Sequence, residues 1–221
     1  MFTFLIVAPP PSVVKNERSF YFGVMPKVSP EHAAARREQI LTAAQKCFAR
    51  KGFHASSMND VFAEAGLSAG AVYSYFKSKD EIIAGMADRA VGLVQPFFDA
   101  VLAEEPTPPL TEVVRRFAQL LQELSEGPMS VAPQVWAAAT YDPGLTPAVA
   151  SNMQRMREFW IELASRERKA GRLAPDADPT AVGSVLFTMV PGFLLGHRLL
   201  ADMTPELVER GLRDLRGAPR D

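Results

Sequence analysis

The chain has 221 residues, of which 48% are hydrophobic and 22% are charged, so its composition is that of a folded protein and excludes a disordered chain. Its single cysteine, Cys47, excludes an intrachain disulfide and a metal site built from several cysteines. The net charge of −1 conceals an asymmetry, because residues 1–80 carry 10 Lys and Arg against 6 Asp and Glu.

The first 30 residues are predicted to form a disordered tail. Their apolar run from Phe2 to Ala8 has no basic segment before it and is too short for the core of a signal peptide. Met25 stands directly before a strongly periodic segment, which suggests the hypothesis that native translation begins there. Residues 1–24 would then be a translated leader.

From Glu31 onward, apolar residues recur at helical spacing, and no comparably long segment alternates with a period of two. The pattern predicts an all-α protein. The first helix ends at Gly52, and Cys47 lies on its apolar stripe, where a small buried hydrophobe is expected.

Serines that can cap helix N-termini mark three further helices. Ser57 and Ser78 each begin a capping-box pattern with an acidic residue three positions later. The predicted helices run from Ser57 through Ala65, over 69–76, and from Ser78 onward with a kink at Pro96. Beyond a linker over 104–109, further helices are predicted near 110–124 and 134–140, from 149 to Gly171, from Pro179, and over 205–216.

The second and third helices, with the short turn 65–68 between them, have the proportions of a helix-turn-helix, whose second helix enters the DNA major groove. Tyr73, Tyr75 and Lys79 crowd around that second helix, and all three can donate hydrogen bonds to phosphate oxygens. The helix N-termini at Ser57 and Ser78 add backbone N–H donors that favour anions.

Residues 36–86 resemble the DNA-binding domain of TetR-family transcriptional regulators, and the run AEAGLSAGAVYSYFKSK (63–79) carries the most specific part of the resemblance. The resemblance implies that residues 31–80 form the DNA-binding domain and that residues 81–221 form a larger helical domain for ligand binding and dimerisation. It also implies that Ser57, Tyr73, Tyr75 and Lys79 bind phosphates. Base edges would then face residues 68–74, which include Ser68, Ala69, Gly70, Ala71 and Ser74.

Two alanines stand in the recognition helix where many family members have Lys and Thr. Ala71 can contact a thymine methyl group, and Ser74 can bond to several bases. Ala69 and Ala71 have no long polar side chain that could read a single base, so DNA shape is expected to carry much of the specificity.

A serine-hydrolase pattern overlaps the turn, since residues 66–70 satisfy G-x-S-x-G. That nucleophile elbow requires a strand before the serine, whereas 61–65 has a helical pattern. Ser68 is therefore interpreted as a helix cap, with a hydrolase as an unfavoured alternative.

The segment from Pro179 to Gly196 has 18 residues without a charged side chain, which touches the lower length limit of a membrane helix. Because it contains Thr and Ser and is followed at once by His197 and Arg198, a buried helix of a soluble protein is favoured over a membrane-associated one. Small residues recur there at every fourth position and permit close helix contact. They are Ser184, Thr188, Gly192 and Gly196.

The resemblance implies a homodimer formed through the last two helices, near 180–201 and 205–216, although packing within one chain would also explain the small residues. It further implies an effector cavity, and adaptable Met and aromatic walls suit an apolar or aromatic ligand. The candidates are Phe117, Trp136, Met153, Met156, Trp160, Phe187 and Phe193. The expected function is that of a cytoplasmic, non-enzymatic repressor without metal or cofactor, which an effector releases from a palindromic operator; activation remains open.

Overall fold

The computed structural model describes residues 29–217, and within this range the chain folds into nine helices without a β-strand. The all-α prediction is confirmed. The predicted tail, apart from its last two residues, and the hypothetical start at Met25 lie outside the described range. The helices are α1 (Pro30–Lys51), α2 (Met58–Ala65), α3 (Ala69–Tyr73), α4 (Lys79–Ala103), α5 (Leu110–Ser125), α6 (Ala132–Ala139), α7 (Thr146–Lys169), α8 (Pro179–Leu199) and α9 (Pro205–Gly217).

The helix ends follow the capping signals in the sequence. Ser57 and Asp60 form a reciprocal capping box at the start of α2. Helices α1 and α2 end at Gly52 and Gly66, whose φ angles of 81° and 65° favour glycine. Cys47 is fully buried, as predicted, and its burial raises the pKa of the thiol.

Helix α3 is shorter than predicted, because it ends at Tyr73 and not at Phe76. The helical bonding first breaks at Tyr75, whose N–H donates to the Val72 carbonyl at 3.0 Å and not to the Ala71 carbonyl one turn back. The Ala71 carbonyl accepts the Ser74 hydroxyl at 2.7 Å instead. Phe76 lies beyond the helix and is buried in the core.

The hydrophobic core of the N-terminal helices extends past residue 80. Its buried cluster includes Ile40, Phe48 and Val72, and it continues into α6 through Val135 and Ala138. Helix α6 therefore packs on the N-terminal helices although 58 residues (74–131) separate it from the end of α3.

The remaining helices enclose a second core. Its centre is aromatic, with the rings of Phe98 and Phe159 stacked 3.9 Å apart and Phe117 meeting Trp160 edge-on at 5.3 Å. Helices α7 and α8 approach so closely that a Cβ added to Gly183 would lie 2.5 Å from the backbone nitrogen of Ile161.

Helix α8, favoured as a buried helix of a soluble protein, is buried along one face only. Within residues 29–217, it is the one helix that by length and composition could cross a membrane, and only 28% of its apolar window is buried. Its buried face, which includes Leu186 and Val190, packs in the second core. The opposite face remains open in the single chain.

Candidate nucleic-acid interface and effector clefts

Backbone hydrogen bonds around Gly66, which has a left-handed conformation, fix the turn between α2 and α3. The N–H groups of Gly66 and Leu67 donate to the carbonyls of Ala63 and Phe62 at 3.2 and 3.1 Å. Ser68 then caps α3 by accepting the Ala71 N–H at 3.3 Å. This arrangement closes the last turn of α2 and starts α3 within three residues, as a helix-turn-helix requires.

Helix α3 buries Val72 and turns its other side to solvent. Tyr73 is 41% exposed and holds its ring edge-on to Phe62 at 5.3 Å, while Tyr75 is half-buried. The Ser74 hydroxyl donates to the Ala71 carbonyl at 2.7 Å. The exposed residues of the predicted reading segment are Ser68, Ala69, Gly70, Tyr73 and Ser74, with Ala71 half-exposed.

Two of the predicted polar contacts already have partners within the chain. The Ser57 hydroxyl accepts the Asp60 N–H at 3.2 Å and donates to the Asp60 carboxylate at 2.9 Å. The Lys79 ammonium donates to the carbonyls of Phe53 and Ser56, both at 3.0 Å, and lies 4.2 Å from the centre of the Phe53 ring. An ammonium has three donors, so one N–H of Lys79 is left for a phosphate.

Lys77 is a cation that the sequence analysis did not select. It is exposed, lies between α3 and α4, and its ammonium donates to the Tyr73 carbonyl. Its position in the sequence could have identified it, because Lys77, like Lys79, directly follows the segment that is predicted to read the bases. Lys77 thus places a positive charge at the end of α3, whereas the Lys79 ammonium lies at the carbonyls of Phe53 and Ser56, ahead of α2.

Other basic residues near α2 are neutralised by ion pairs. Arg50 pairs with Glu64 at 3.2 Å, and Lys51 pairs with Asp60. The hydrogen bond from Lys51, followed by the N–H and hydroxyl of Ser57, holds the pKa of the Asp60 carboxyl well below its usual range. The N-terminal excess of positive charge is therefore not carried by these residues.

The environment of Ser68 does not fit a nucleophile elbow. Helix α2 precedes it in place of a strand, and its hydroxyl is used to cap α3. The helix-cap interpretation of Ser68 is confirmed.

A main apolar cleft lies between α4, α6, α7 and α8, is partly open to solvent, and has a cavity volume of about 50 Å³. Four predicted ligand-binding residues line it, namely Trp136, Met153, Met156 and Phe187. Helix α4 contributes Met86, Ala87, Ala90 and Val91, which the sequence analysis did not select. Asn152 is the one polar side chain in this lining, and its amide donates to Asp88 at 3.3 Å.

The other three predicted ligand-binding residues do not line the main cleft. Phe117, Trp160 and Phe193 line a second, smaller cleft between α5, α7, α8 and α9, with a cavity volume of about 20 Å³. The candidates for one effector cavity are therefore divided between two clefts. Val190 is the only residue that lines both clefts among the described residues.

The small residues of α8 divide between two environments. Ser184 accepts a hydrogen bond from Arg157 at 2.9 Å, and Gly196 packs on Met203 of the same chain. Thr188 and Gly192 are exposed. The closest approach within the chain occurs at Gly183, which is not on the predicted stripe.

The exposed face of α8 is apolar and has heptad spacing. Val185, Leu195 and Leu199 are 63%, 45% and 77% exposed, and with Thr188 and Gly192 they fall at alternating intervals of three and four residues. Such spacing gives a continuous apolar stripe along one side of the helix. The stripe lacks a partner within the described chain.

Polar contacts join the N-terminal helices to the α5–α6 region. The Gln45 amide donates to the Gly127 carbonyl and to the Ser130 hydroxyl, while its carbonyl accepts from Arg89 at 3.2 Å. Arg89 also pairs with Glu38 of α1 at 2.7 Å. Contacts on both sides thus connect α1 and α4 with the loop that precedes α6.

Known proteins resemble the chain in two ways. The family model "Bacterial regulatory proteins, tetR family" matches residues 40–86. The chain is 41% identical over 63 residues to the HTH-type transcriptional repressor Rv1474c of Mycobacterium tuberculosis. This match covers 28% of the chain and only 34% of that relative. It is 25% identical over 155 residues to the HTH-type transcriptional repressor KstR2 of Mycolicibacterium smegmatis, covering 68% and 73% of the two chains.

The fold similarity extends further than the sequence similarity. The structure of Salmonella enterica GusR matches with a TM-score of 0.71 at 18% identity and covers 87% of this chain and 100% of that chain. The high identity is therefore concentrated in the helix-turn-helix region, while the helical fold is shared over most of the chain.

Proposed function

The chain belongs to the TetR family of bacterial regulatory proteins, and from this premise we propose that it is a cytoplasmic homodimeric repressor that a small apolar effector releases from a palindromic operator. The observation that carries the proposal is the α2–turn–α3 unit, which buries Val72 and exposes a nearly uncharged reading surface from Ser68 to Ser74.

The surface from Ser68 to Ser74 favours close contact between the α3 backbone and the bases over recognition by long side chains. Gly70 and Ala71 allow the backbone of α3 to approach the base edges, and the Ala71 methyl group suits a thymine methyl. Tyr73 and Lys77 at the end of α3, together with Lys79 at the turn ahead of α2, bind phosphates, which orient the helix but carry no base information. Specificity then depends strongly on the shape of the operator.

Dimerisation uses the exposed stripe of α8. An apolar face with heptad spacing is stabilised when a second helix covers it, and Gly192 permits close approach at its middle. Two chains related by a two-fold axis would place their recognition helices about 34 to 36 Å apart, one turn of DNA, which matches a palindromic site.

The effector acts through α4. Met86, Ala87 and Ala90 line the main cleft, and next to them α4 packs tightly on the N-terminal core, because a Cβ on Gly85 would lie 3.0 Å from the Phe76 ring. A ligand that binds more tightly when α4 is displaced shifts the chain away from the DNA-binding conformation. Contacts of Gln45 and Arg89 would carry the same displacement to α1.

The proposal is tested by incubating the purified protein with genomic fragments, sequencing those retained, and footprinting the recovered site. We expect a short palindrome. Gly70→Glu places a negative charge on the exposed side of α3 and should abolish retention, whereas Ala150→Glu, exposed on α7, should not. Retention without a common sequence would overturn the proposal, as would equal retention by the Gly70→Glu variant.

A further inference from the structure

The turn between α1 and α2 is held by a side chain from α4 and by a side chain from α6. From α4, the Lys79 ammonium donates to the carbonyls of Phe53 and Ser56, both at 3.0 Å. From α6, the Gln134 side-chain carbonyl accepts the Phe53 N–H at 3.0 Å, and the Gln134 amide donates to the Phe48 carbonyl. Phe53 is thus bonded to α6 through its N–H and to α4 through its carbonyl.

The Lys79 ammonium depends on this turn for its position. A lysine has a long, flexible stem, so its ammonium is fixed only where other groups hold it. Here these groups are the two carbonyls and the face of the Phe53 ring, whose centre lies 4.2 Å from the ammonium. Within residues 29–217, no carboxylate forms an ion pair with Lys79, so its positive charge is available to DNA.

Gln134 fixes the turn that holds Lys79. The Phe53 N–H is shielded from water, since the residue is only 8% exposed. Without the Gln134 acceptor this donor would be left unsatisfied, which favours a shift of the turn that gives it another partner. Because the N–H and the carbonyl of Phe53 are attached to the same Cα, such a shift also moves the carbonyl that holds Lys79.

The helix that carries Gln134 also contacts the main cleft. The next two residues, Val135 and Trp136, line this cleft, and Val135 packs in the N-terminal core as well. Helix α6 therefore lies between the main cleft and the turn that holds Lys79.

We propose that Gln134 is a positioning residue for DNA binding: by holding Phe53, it keeps the Lys79 ammonium where its remaining N–H reaches a DNA phosphate. The inference rests on the proposed function and deepens it, because it makes this phosphate contact depend on α6 as well as on α4. A displacement of α6 would then weaken DNA binding even if α4 stayed in place.

The test measures how salt affects the binding of the full chain to a fluorescein-labelled duplex of arbitrary fixed sequence, about 30 base pairs long. Phosphate contacts form with any sequence, so no operator is required. Gln134→Met keeps the length of the side chain, but it cannot donate to Phe48 and is only a weak acceptor for Phe53. The slope of log K against log salt should become shallower, toward the slope of Lys79→Ala, which loses about 0.9 per phosphate in each chain.

A double-mutant cycle separates positioning from a general loss of folded protein. If Gln134 acts through Lys79, adding Gln134→Met to Lys79→Ala should change the affinity by less than about twofold. A purely structural role would lower the affinity by the same factor in both backgrounds and leave the slope unchanged. Gln154→Met is the same exchange on the exposed surface of α7 and should leave affinity and slope unchanged. Gln134→Ala removes the same two bonds and should give the same slope, so it replaces Gln134→Met if that variant is unfolded.

Three results would overturn the inference and leave the proposed function intact, provided that the wild type binds the duplex. They are a wild-type slope in the Gln134 variants, a wild-type slope in Lys79→Ala, and additive effects of Gln134→Met and Lys79→Ala. Failure of the wild type to bind the duplex at low salt would overturn the proposed function together with the inference.

Discussion

The side-chain carbonyl of Gln134 accepts a hydrogen bond from the backbone N–H of Phe53 at 3.0 Å, and its amide donates to the Phe48 carbonyl at 3.4 Å. Gln134 lies on α6, whereas both partners lie at the end of α1. A single side chain thus fastens α6 to the turn that leads into the helix-turn-helix.

Replacing Gln134 by Ala should leave the Phe53 N–H without its acceptor. The free energy of unfolding should fall by about 1–3 kcal/mol, the usual effect of an unsatisfied donor that is shielded from water. Urea unfolding measures this difference. Gln154→Ala is the matched control, because Gln154 bonds only on the exposed surface of α7, and it should change the stability by less than about 0.5 kcal/mol. Equal losses would contradict the fastening role.

Adding one methyl group should have opposite effects at two helical glycines. Gly183→Ala places a Cβ against the Ile161 backbone and should destabilise the fold by about 1–3 kcal/mol, as overpacking does. Gly92 lies on α4, and a Cβ added there would meet no other atom within 4 Å. Gly92→Ala should therefore stabilise the fold by about 0.5–1 kcal/mol, because alanine favours a helix. Thermal or urea unfolding of both variants measures the two changes in the free energy of unfolding. Changes of the same sign would be inconsistent with the close α7–α8 packing.

The proton affinity of Asp60 makes the stability dependent on pH. The folded-state pKa of Asp60 is lowered by Lys51 and Ser57, so its contribution is fully present above the unfolded pKa of about 3.9 and is lost as the pH falls through the lower folded pKa. Asp60→Asn should reduce the stability at neutral pH and flatten its decline in acid. Asp99→Asn, on the exposed side of α4, should retain the wild-type profile. Urea unfolding at several acidic pH values provides the comparison.

A charge on the exposed stripe of α8 should separate the proposed dimer. Leu195→Lys should sediment as a monomer at micromolar concentration and lose operator affinity, since a single chain can occupy only one half-site. Tyr141→Lys introduces the same charge at a residue that is 90% exposed and off the stripe, and it should remain dimeric. A monomeric wild type under these conditions would remove the basis of this prediction.

Lys79→Ala should weaken binding to all DNA sequences by a similar factor, because a bond to a phosphate carries no base information. The dependence of log K on log salt should become shallower by about 0.9 for each phosphate that the variant no longer neutralises in each subunit. Lys169→Ala, exposed at the end of α7, removes the same charge and should leave both quantities unchanged. A change in sequence preference with intact affinity would assign Lys79 to base recognition.

Local signals in the sequence predicted much of the fold. The caps at Ser57 and Ser68 and the stops at Gly52 and Gly66 are where the sequence placed them, because each depends on residues within one helical turn. The end of α3 could not be predicted in this way, since it depends on the Tyr75 N–H bonding to Val72 and on the Ser74 hydroxyl bonding to the Ala71 carbonyl.

Contacts between distant elements were less predictable. The sequence offers Trp136 and Trp160 as candidates for one effector cavity, but it does not indicate that they line different clefts. It also gave no indication that α6 packs with the N-terminal helices or that Lys79 would hold two backbone carbonyls. These features arise from tertiary packing, and the pattern along one helix carries no information about its neighbour.

The affinity of the dimer for the genomic fragment that it retains, compared with a shuffled fragment of equal length and composition at one fixed salt concentration, tests the central claim most directly. A sequence-specific repressor should bind its site at least about 10³-fold more tightly than the shuffled DNA. Equal affinities for the two fragments would contradict the assignment of the α2–turn–α3 unit as an operator-reading element.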